Sequence, residues 1–222
     1  MNNPYPVKWR LAQFLELLWW KKYLSDKPES DYLNWKREYW KNFLNCISDV
    51  LPIHNYSNIL DAGCGPAGIF TILANHQVTA IDPLLDKYQH GIAHFNPLNY
   101  PQVSFFSIPI EQLQAKNEYD IVFCLNAINH VADIQKAMYR LADSVKTGGY
   151  LVLSIDAHRY NFLKYLFRLF PGDVLHPHQH NLSGYLQMIG QYPFTILKTH
   201  CLKQSLIFNY WVIVAQKTGH SL

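Results

Sequence analysis

Residues 59–70, with the sequence ILDAGCGPAGIF, constrain the fold of this chain more than any other segment. The apolar start predicts a strand, Gly63 and Gly65 predict a tight turn, and the apolar residues after Gly68 predict the beginning of a helix. Glycine is needed where the backbone turns sharply and must approach a ligand without an intervening Cβ. This order predicts one strand–turn–helix unit of an α/β sheet, with free N–H groups at the helix start facing a polar ligand.

An acidic residue follows this turn at the end of the next apolar run. Asp82 lies about twenty residues after Gly63, the spacing at which an acid reaches a ribose in nucleotide-binding sheets. A carboxylate there can accept hydrogen bonds from both ribose hydroxyls. The turn and the acid together predict a nucleoside site, and the alternative for Asp82 is a structural cap ahead of Pro83.

The middle of the chain alternates between strand and helix patterns. Strands are predicted over 58–62, 78–81, 103–107, 120–125 and 150–155. Helices are predicted over 68–75, 84–94 and 132–145. Strands that alternate with helices and are apolar on both faces indicate a parallel sheet covered by helices on both sides.

The two ends of the chain depart from this alternation. After a helix over 182–191, strands over 194–202 and 206–216 are joined so closely that they can only form an antiparallel hairpin. The fold class is therefore α/β: a Rossmann-like, doubly wound sheet, mostly parallel, with an antiparallel C-terminal hairpin and additional N-terminal helices. We expect two units, an N-terminal helical lid or appendage over 1–56 and the sheet domain over 57–222.

The N-terminal unit is predicted to contain helices over 7–24 and 32–51, the second capped by Asp31. One face of the second helix carries aromatic residues at three- and four-residue spacing: Tyr32, Trp35, Tyr39 and Phe43. Such a stripe favours packing on the main domain, and a lid over a pocket is the alternative.

Composition excludes several classes of protein. Hydrophobic residues make up 49% and aromatic residues 15% of the 222 residues, which rules out a disordered chain. A net charge of +3 without a run of like charge disfavours a nucleic-acid partner. The four cysteines form no CxxC pair, which disfavours zinc. With no signal peptide and no apolar run long enough to span a bilayer, we expect a cytoplasmic protein. The oligomeric state stays open.

Several motifs resemble those of one enzyme family. Residues 61–65, an acid followed by x-Gly-x-Gly, are similar to the first motif of the class I S-adenosylmethionine-dependent methyltransferases, and Asp82 matches their ribose-binding acid. Residues 119–126 resemble their fourth-strand motif, residues 129–133 the segment after it, and residues 147–153 the entry to the fifth strand. The resemblance covers residues 58–153 and, more loosely, the hairpin.

The resemblance implies methyl transfer with S-adenosyl-L-methionine as cofactor and S-adenosyl-L-homocysteine as product. It implies cofactor contacts at the first motif, the ribose acid, the segment after the third strand and the end of the fourth: Asp61, Ala62, Gly63, Cys64, Gly65, Asp82, Pro83, Ile110, Glu111, Leu125 and Asn126. Pro109 stands where an acid is commoner in the family, so adenine is expected to contact either the Ile110 backbone or Glu111.

No universal catalytic residue can be transferred from the family, because a base is needed only when the acceptor must lose a proton. Histidines near the expected acceptor side are the catalytic candidates: His130, His176, His178 and His180. The last three could also form a structural loop or bind a metal, but they lack a carboxylate cluster and no metal is predicted. His130 is either an acceptor contact or a strand-end cap. The substrate-binding candidates are Tyr32, Trp40, His130, Arg159 and Tyr160.

The leading hypothesis is in-line methyl transfer to a small, apolar or aromatic acceptor. Residues 157–170 are very apolar, which favours packing and a pocket wall, with a hydrophobic tunnel or a peripheral membrane contact as alternatives. One rival function is a nicotinamide-dependent oxidoreductase, since Gly63, Gly65 and Gly68 fit GxGxxG literally. Asp61 and the absence of a recognisable hydride-site pair speak against it. The other rival is a catalytically silent nucleoside-binding protein.

Overall fold

The computed structural model describes residues 5–158, 180–204 and 208–219. Within them seven strands form one sheet in the order β3-β2-β1-β4-β5-β7-β6. The first five strands in this order run parallel to one another. Strand β7 pairs antiparallel with both β5 and β6. The strands are β1 (Asn58–Ala62), β2 (Gln77–Ile81), β3 (Val103–Phe106), β4 (Tyr119–Leu125), β5 (Val145–His158), β6 (Phe194–Gln204) and β7 (Phe208–Lys217). This order confirms the predicted Rossmann-like α/β fold and its terminal hairpin.

Helices cover both faces of the sheet. They are α1 (Val7–Leu24), α2 (Glu29–Asn45), α3 (Leu85–Gly91), α4 (Ile134–Ser144) and α5 (Leu182–Ile189). Successive residues of β4 point to opposite faces, as expected for a strand. Ile121 and Phe123 join the core beneath α1, α2 and α3, whereas Val122 and Cys124 join the core beneath α4 and α5. In the described ranges, no helix combines the length and apolar character that a bilayer crossing requires.

The N-terminal helices pack against the carboxyl-end loops of the sheet. Trp40 is buried in α2, and its indole N–H donates to the Ala67 carbonyl at 3.0 Å. The Trp9 indole of α1 donates to the His130 carbonyl at 2.9 Å. Both acceptors lie in loops that follow strands of the parallel sheet, so the helices are held over the edge where ligands bind in such folds.

Two predicted helices were wrong in part. Helix α2 begins at Glu29, directly after Pro28, so Asp31 lies within the first turn rather than at the cap. A negative charge in the first turn stabilises a helix through its dipole. The predicted helix over 68–75 is instead two short 3₁₀ turns, Gly65–Ala67 and Ile69–Ile72. The Asp61 carboxylate accepts the Phe70 N–H at 3.1 Å at the start of the second turn.

The indole of Trp40 provides a direct test of how α2 is attached. Trp40→Phe removes the donor for the buried Ala67 carbonyl, so we expect unfolding free energy to fall by about 1–3 kcal/mol. Trp35→Phe is the matched control, because Trp35 lies in the same helix with 53% of its surface exposed. Urea denaturation of both variants makes the comparison. Equal stability losses would contradict the attachment.

Candidate functional site

The glycine turn after β1 closes against the end of β2. The amides of Gly63 and Cys64 both donate to the Ile81 carbonyl, at 2.7 and 3.1 Å. Gly63 and Gly65 have φ values of +73° and +59°, the left-handed region that side chains other than glycine rarely occupy. A Cβ on Gly63 would also overlap the Ala127 side chain after β4. The turn therefore exposes bare backbone between two strand ends.

Asp82 organises the same turn from the end of β2. Its two carboxylate oxygens accept the N–H groups of Gly65 at 3.0 Å and Leu84 at 2.8 Å. Burial raises the pKa of Asp82 to about 6. The bond to Leu84 is the local cap considered from the sequence. Because each oxygen has a second lone pair, capping leaves room for ligand hydroxyls.

Asp61 and Ala62 lie behind the turn and do not line the cavity described below. Both are buried, and burial raises the pKa of Asp61 to about 7. Gly68 packs so closely on Asp61 that a Cβ there would overlap its carboxylate and approach the Cys64 carbonyl to 2.6 Å. In the structure, Asp61 thus supports the turn by binding the Phe70 amide.

A cavity of about 630 Å³ lies between the helices α1 and α2 and the carboxyl ends of the parallel strands. This volume is in the range of small-molecule and cofactor sites. Of the residues predicted from the sequence, the following line it: Gly63, Cys64, Gly65, Asp82, Pro83, Ile110, Glu111, Leu125, Asn126, Tyr32, Trp40 and His130. Predicted cofactor residues from the ends of four strands, β1 to β4, thus line a single cavity.

Glu111 combines an anchoring contact with an unpartnered oxygen. Its Oε1 accepts the N–H groups of Ala132 at 2.7 Å and Asp133 at 3.0 Å, just before α4. Within the described residues, its Oε2 is buried and has no hydrogen-bond partner. Glu111 lines the cavity, so an acceptor is available there for a ligand donor such as an amine.

The histidine candidates separate into three groups. His130 lines the cavity. His180 does not line it and packs edge-to-face on Tyr185 with ring centroids 5.6 Å apart, just before α5. His176 and His178 lie outside the described residues, as do the substrate candidates Arg159 and Tyr160. No group of three or more potential metal ligands occurs in the described part of the chain.

Among the charged cavity residues that were missed from the sequence, Glu16 and Lys36 lie on the two N-terminal helices. Glu16 of α1 is half-buried and lines the cavity, and its partial burial together with the charge of Asp82 raises its pKa to about 8. Lys36 of α2 lies among aromatic rings, with its Nζ 4.4 Å from the Trp40 ring centroid and 4.9 Å from that of Tyr39. Burial lowers the pKa of Lys36 to about 8, partly offset by the charge of Asp61. In the described chain, no ion pair is formed by Glu16 or Lys36.

A sequence signal for both residues existed. On α1, Trp9, Gln13, Glu16 and Trp20 are spaced by three or four residues and share one helical face, and all four line the cavity. Lys36 has the same relation to Tyr32 and Trp40 on α2. A polar or charged residue inside an aromatic stripe indicates that the stripe faces a ligand site rather than only a core.

Two tyrosines line the part of the cavity over β5 and β7. Tyr39 of α2 and Tyr210 of β7 are hydrogen-bonded to each other, and β1 and β4 separate β5 and β7 from Asp82 at the end of β2. The Tyr210 hydroxyl lies 2.7 Å from Ser154 Oγ of β5. Asp156 of β5 also lines this end. The cavity therefore extends from the glycine turn, where Trp20 and Trp40 also contact the backbone, to Tyr39 and Tyr210 over β5 and β7, which we call the aromatic end.

Comparisons with known proteins identify the family. The model of a family described as a methyltransferase domain matches residues 22–201. A ubiquinone biosynthesis O-methyltransferase of Rickettsia bellii (strain OSU 85-389) is 35% identical over 124 residues, 55% of this chain and 48% of the relative. One from Rickettsia felis is 36% identical over 98 residues, 43% of this chain and 40% of the relative. The matched region spans about half the length of these relatives or less.

Solved structures share the fold. The YcgJ protein of Bacillus subtilis superposes with a TM-score of 0.64 at 16% identity, covering 79% of this chain and 98% of the other. A magnesium protoporphyrin IX methyltransferase of Synechocystis PCC 6803, solved with S-adenosylhomocysteine, gives 0.55 at 22% identity, with 82% and 83% covered. The family match, the sheet order and the glycine turn all indicate the same fold and family. The chain belongs to the class I S-adenosylmethionine-dependent methyltransferases, and its domain is a methyltransferase domain that uses S-adenosylmethionine as cofactor.

Proposed function

We propose that this protein transfers the methyl group of S-adenosylmethionine to a hydroxyl oxygen of a small aromatic acceptor. The observation that carries the proposal is the division of one cavity into a glycine-turn end and an aromatic end. The residues present fit the cofactor. Bare backbone at Gly63 and Gly65 suits its amino-acid portion, Asp82 suits the ribose, and the unpartnered Glu111 Oε2 suits the adenine amine.

Positioning accounts for most of the chemistry that such a site needs. The bound cofactor supplies a methyl group already activated by a positively charged sulfur. The protein then has to hold the acceptor oxygen in line behind that methyl group, and orientation alone can contribute several orders of magnitude in rate. Tyr32, Tyr39 and Tyr210 would pack against an aromatic acceptor, and water would be largely displaced.

The charge of Lys36 supports a hydroxyl as the methylated group. Lys36 has no ion-pair partner among the residues that the structure describes, and a cation of this kind in an aromatic cavity favours a ligand oxygen that carries negative charge. A phenolic hydroxyl becomes such an oxygen when it loses its proton, and this form is the better nucleophile. His130, which lines the cavity, is the proposed proton acceptor. The relatives named as ubiquinone biosynthesis O-methyltransferases agree with an oxygen acceptor.

We also propose that residues 1–56 act as a lid. Helices α1 and α2 supply much of the cavity wall, and both are hydrogen-bonded to loops at the strand ends. Such a cover would exclude water from the reacting groups. The lid would thereby contribute acceptor contacts through Tyr32 and Trp40 in addition to packing on the sheet.

Lys36→Met should lower kcat/KM for a phenolic acceptor at least about ten-fold at pH 7, because the cation that stabilises the phenolate is removed. The loss should shrink as pH rises above about 8, since wild-type Lys36 then becomes neutral as well. Steady-state kinetics from pH 6.5 to 9.5 would measure both effects, with pH values chosen around the pKa. Lys41→Met, at an exposed site on the same helix, is the control. A pH-independent loss would refute the electrostatic role.

The activity is tested by incubating the protein with S-adenosylmethionine and a panel of phenols, catechols, anilines and thiols. Mass spectrometry should detect S-adenosylhomocysteine together with a methylated phenol or catechol. Methylation confined to anilines or thiols would overturn the oxygen assignment. Binding of S-adenosylhomocysteine without any methylated product would favour a silent nucleoside-binding protein, and binding of NADH in its place would favour an oxidoreductase.

A further inference from the structure

Helix α1 presents a polar pair to the nucleoside end of the cavity. Gln13 and Glu16 lie one turn apart between Trp9 and Trp20 and line the cavity together with Gly65 and Asp82. The helix lies directly over the glycine turn, because a Cβ built on Gly65 would be 3.7 Å from the Trp20 ring. Polar side chains at this position therefore face the part of the cavity that holds the ribose acid.

The pair is costly to bury without a ligand. Gln13 Nε2 donates to Glu16 Oε2 at 3.3 Å. Gln13 Oε1 is buried and has no hydrogen-bond partner within the described residues. No lysine or arginine of the described chain pairs with Glu16, whose carboxyl lies near enough to Asp82 for the two charges to interact. Two acidic groups that line one space, Glu16 and Asp82, call for a ligand that donates hydrogen bonds.

The ribose of the cofactor is a donor of this kind. It carries two adjacent hydroxyl groups, and each oxygen of Asp82 already accepts one backbone N–H. A second acidic group on the other side of the ribose would receive one hydroxyl without competing for these lone pairs. Glu16 has the required position, and Gln13 fixes one of its oxygens.

We propose that Glu16, positioned by Gln13, is a second ribose-binding residue, so that the two hydroxyls of the cofactor are held between Asp82 on the sheet and Glu16 on the N-terminal helix. The lid is then part of the cofactor site itself. A consequence is that closure of α1 and cofactor binding are coupled, because each completes the hydrogen bonds of the other.

A thermodynamic cycle tests this assignment. Calorimetry would measure the affinity of wild-type protein and Glu16→Ala for S-adenosylhomocysteine and for its 2′-deoxy and 3′-deoxy analogues. Glu16→Ala should weaken binding of S-adenosylhomocysteine about ten-fold, the effect expected for the loss of one hydrogen bond. It should leave unchanged the affinity for the one analogue that lacks the hydroxyl bound by Glu16.

Glu38→Ala, an exposed acid on α2, is the matched control and should alter none of the affinities. If Glu16→Ala does not fold, Glu16→Gln should give a smaller loss that again disappears with one deoxy analogue. Equal losses for all three ligands would overturn the proposal and leave Glu16 a structural residue, as would an unchanged affinity for S-adenosylhomocysteine. Failure of the wild-type protein to bind S-adenosylhomocysteine would instead overturn the cofactor assignment.

Discussion

Asp82→Ala is expected to abolish binding of S-adenosylhomocysteine in calorimetry, with a loss of affinity of at least about 100-fold. Asp82 contributes to binding in two ways. The carboxylate is the proposed acceptor for the ribose, and it also fixes the glycine turn through the Gly65 amide at 3.0 Å. Removing it deletes the ligand contact and loosens the backbone that the ligand must approach.

The control for this variant is Asp86→Ala, which removes an exposed acid from α3 and should bind normally. Circular dichroism should give similar helix and strand content for both proteins. The wild-type affinity should also fall as pH drops through about 6, because the buried Asp82 becomes protonated and is then a weaker acceptor for the ribose. Unchanged affinity of Asp82→Ala would refute the ribose assignment.

Gly63→Ala is expected to have the second large effect, a loss of about 3 kcal/mol or more in unfolding free energy together with loss of cofactor binding. Its φ of +73° disfavours any side chain, and a Cβ would overlap the Ala127 side chain in the loop after β4. Relief of that overlap would push apart the two strand ends that form the cofactor end of the cavity.

Gly148→Ala measures how much of the loss in unfolding free energy comes from the positive φ alone. Gly148 has a φ of +81°, and a Cβ there would meet nothing within 4 Å. We expect it to lose only about 1–2 kcal/mol and to bind S-adenosylhomocysteine normally. Urea denaturation and calorimetry on Gly63→Ala and Gly148→Ala would separate the effect of backbone strain from that of the overlap with Ala127. Equal effects on stability and binding would contradict the close packing at Gly63.

The sheet could be predicted from the sequence because buried parallel strands leave an unambiguous pattern. Apolar runs such as 58–62 and 120–125 alternate with helical segments, and the short link near residue 205 allows only a hairpin. The segment over 68–75 was not predictable in the same way. Its apolar composition suits a helix, but the chain is extended at Gly68 between two short 3₁₀ turns, and Gly68 packs closely on Asp61 and Cys64.

The cavity lining at the strand ends was predicted more completely from the sequence than the lining contributed by α1 and α2. The positions of Gly63, Gly65 and Asp82 could be predicted from short-range sequence spacing, because each of these residues follows a predicted strand. The contribution of α1 and α2 depends on how helices far away in the chain cross the strand ends. Glu16 and Lys36 were therefore missed, although their location among aromatic residues on one helical face indicated a ligand site.

A crystal structure with S-adenosylhomocysteine bound is the most direct test of the account. The nucleoside should lie against Asp82 and beneath α1, with the amino-acid portion at Gly63 and Gly65. Its sulfur should face the aromatic end of the cavity near Tyr39 and Tyr210, where the acceptor would lie. A nucleoside bound away from Asp82, or a sulfur that faces away from the aromatic end, would contradict the proposed division of the cavity.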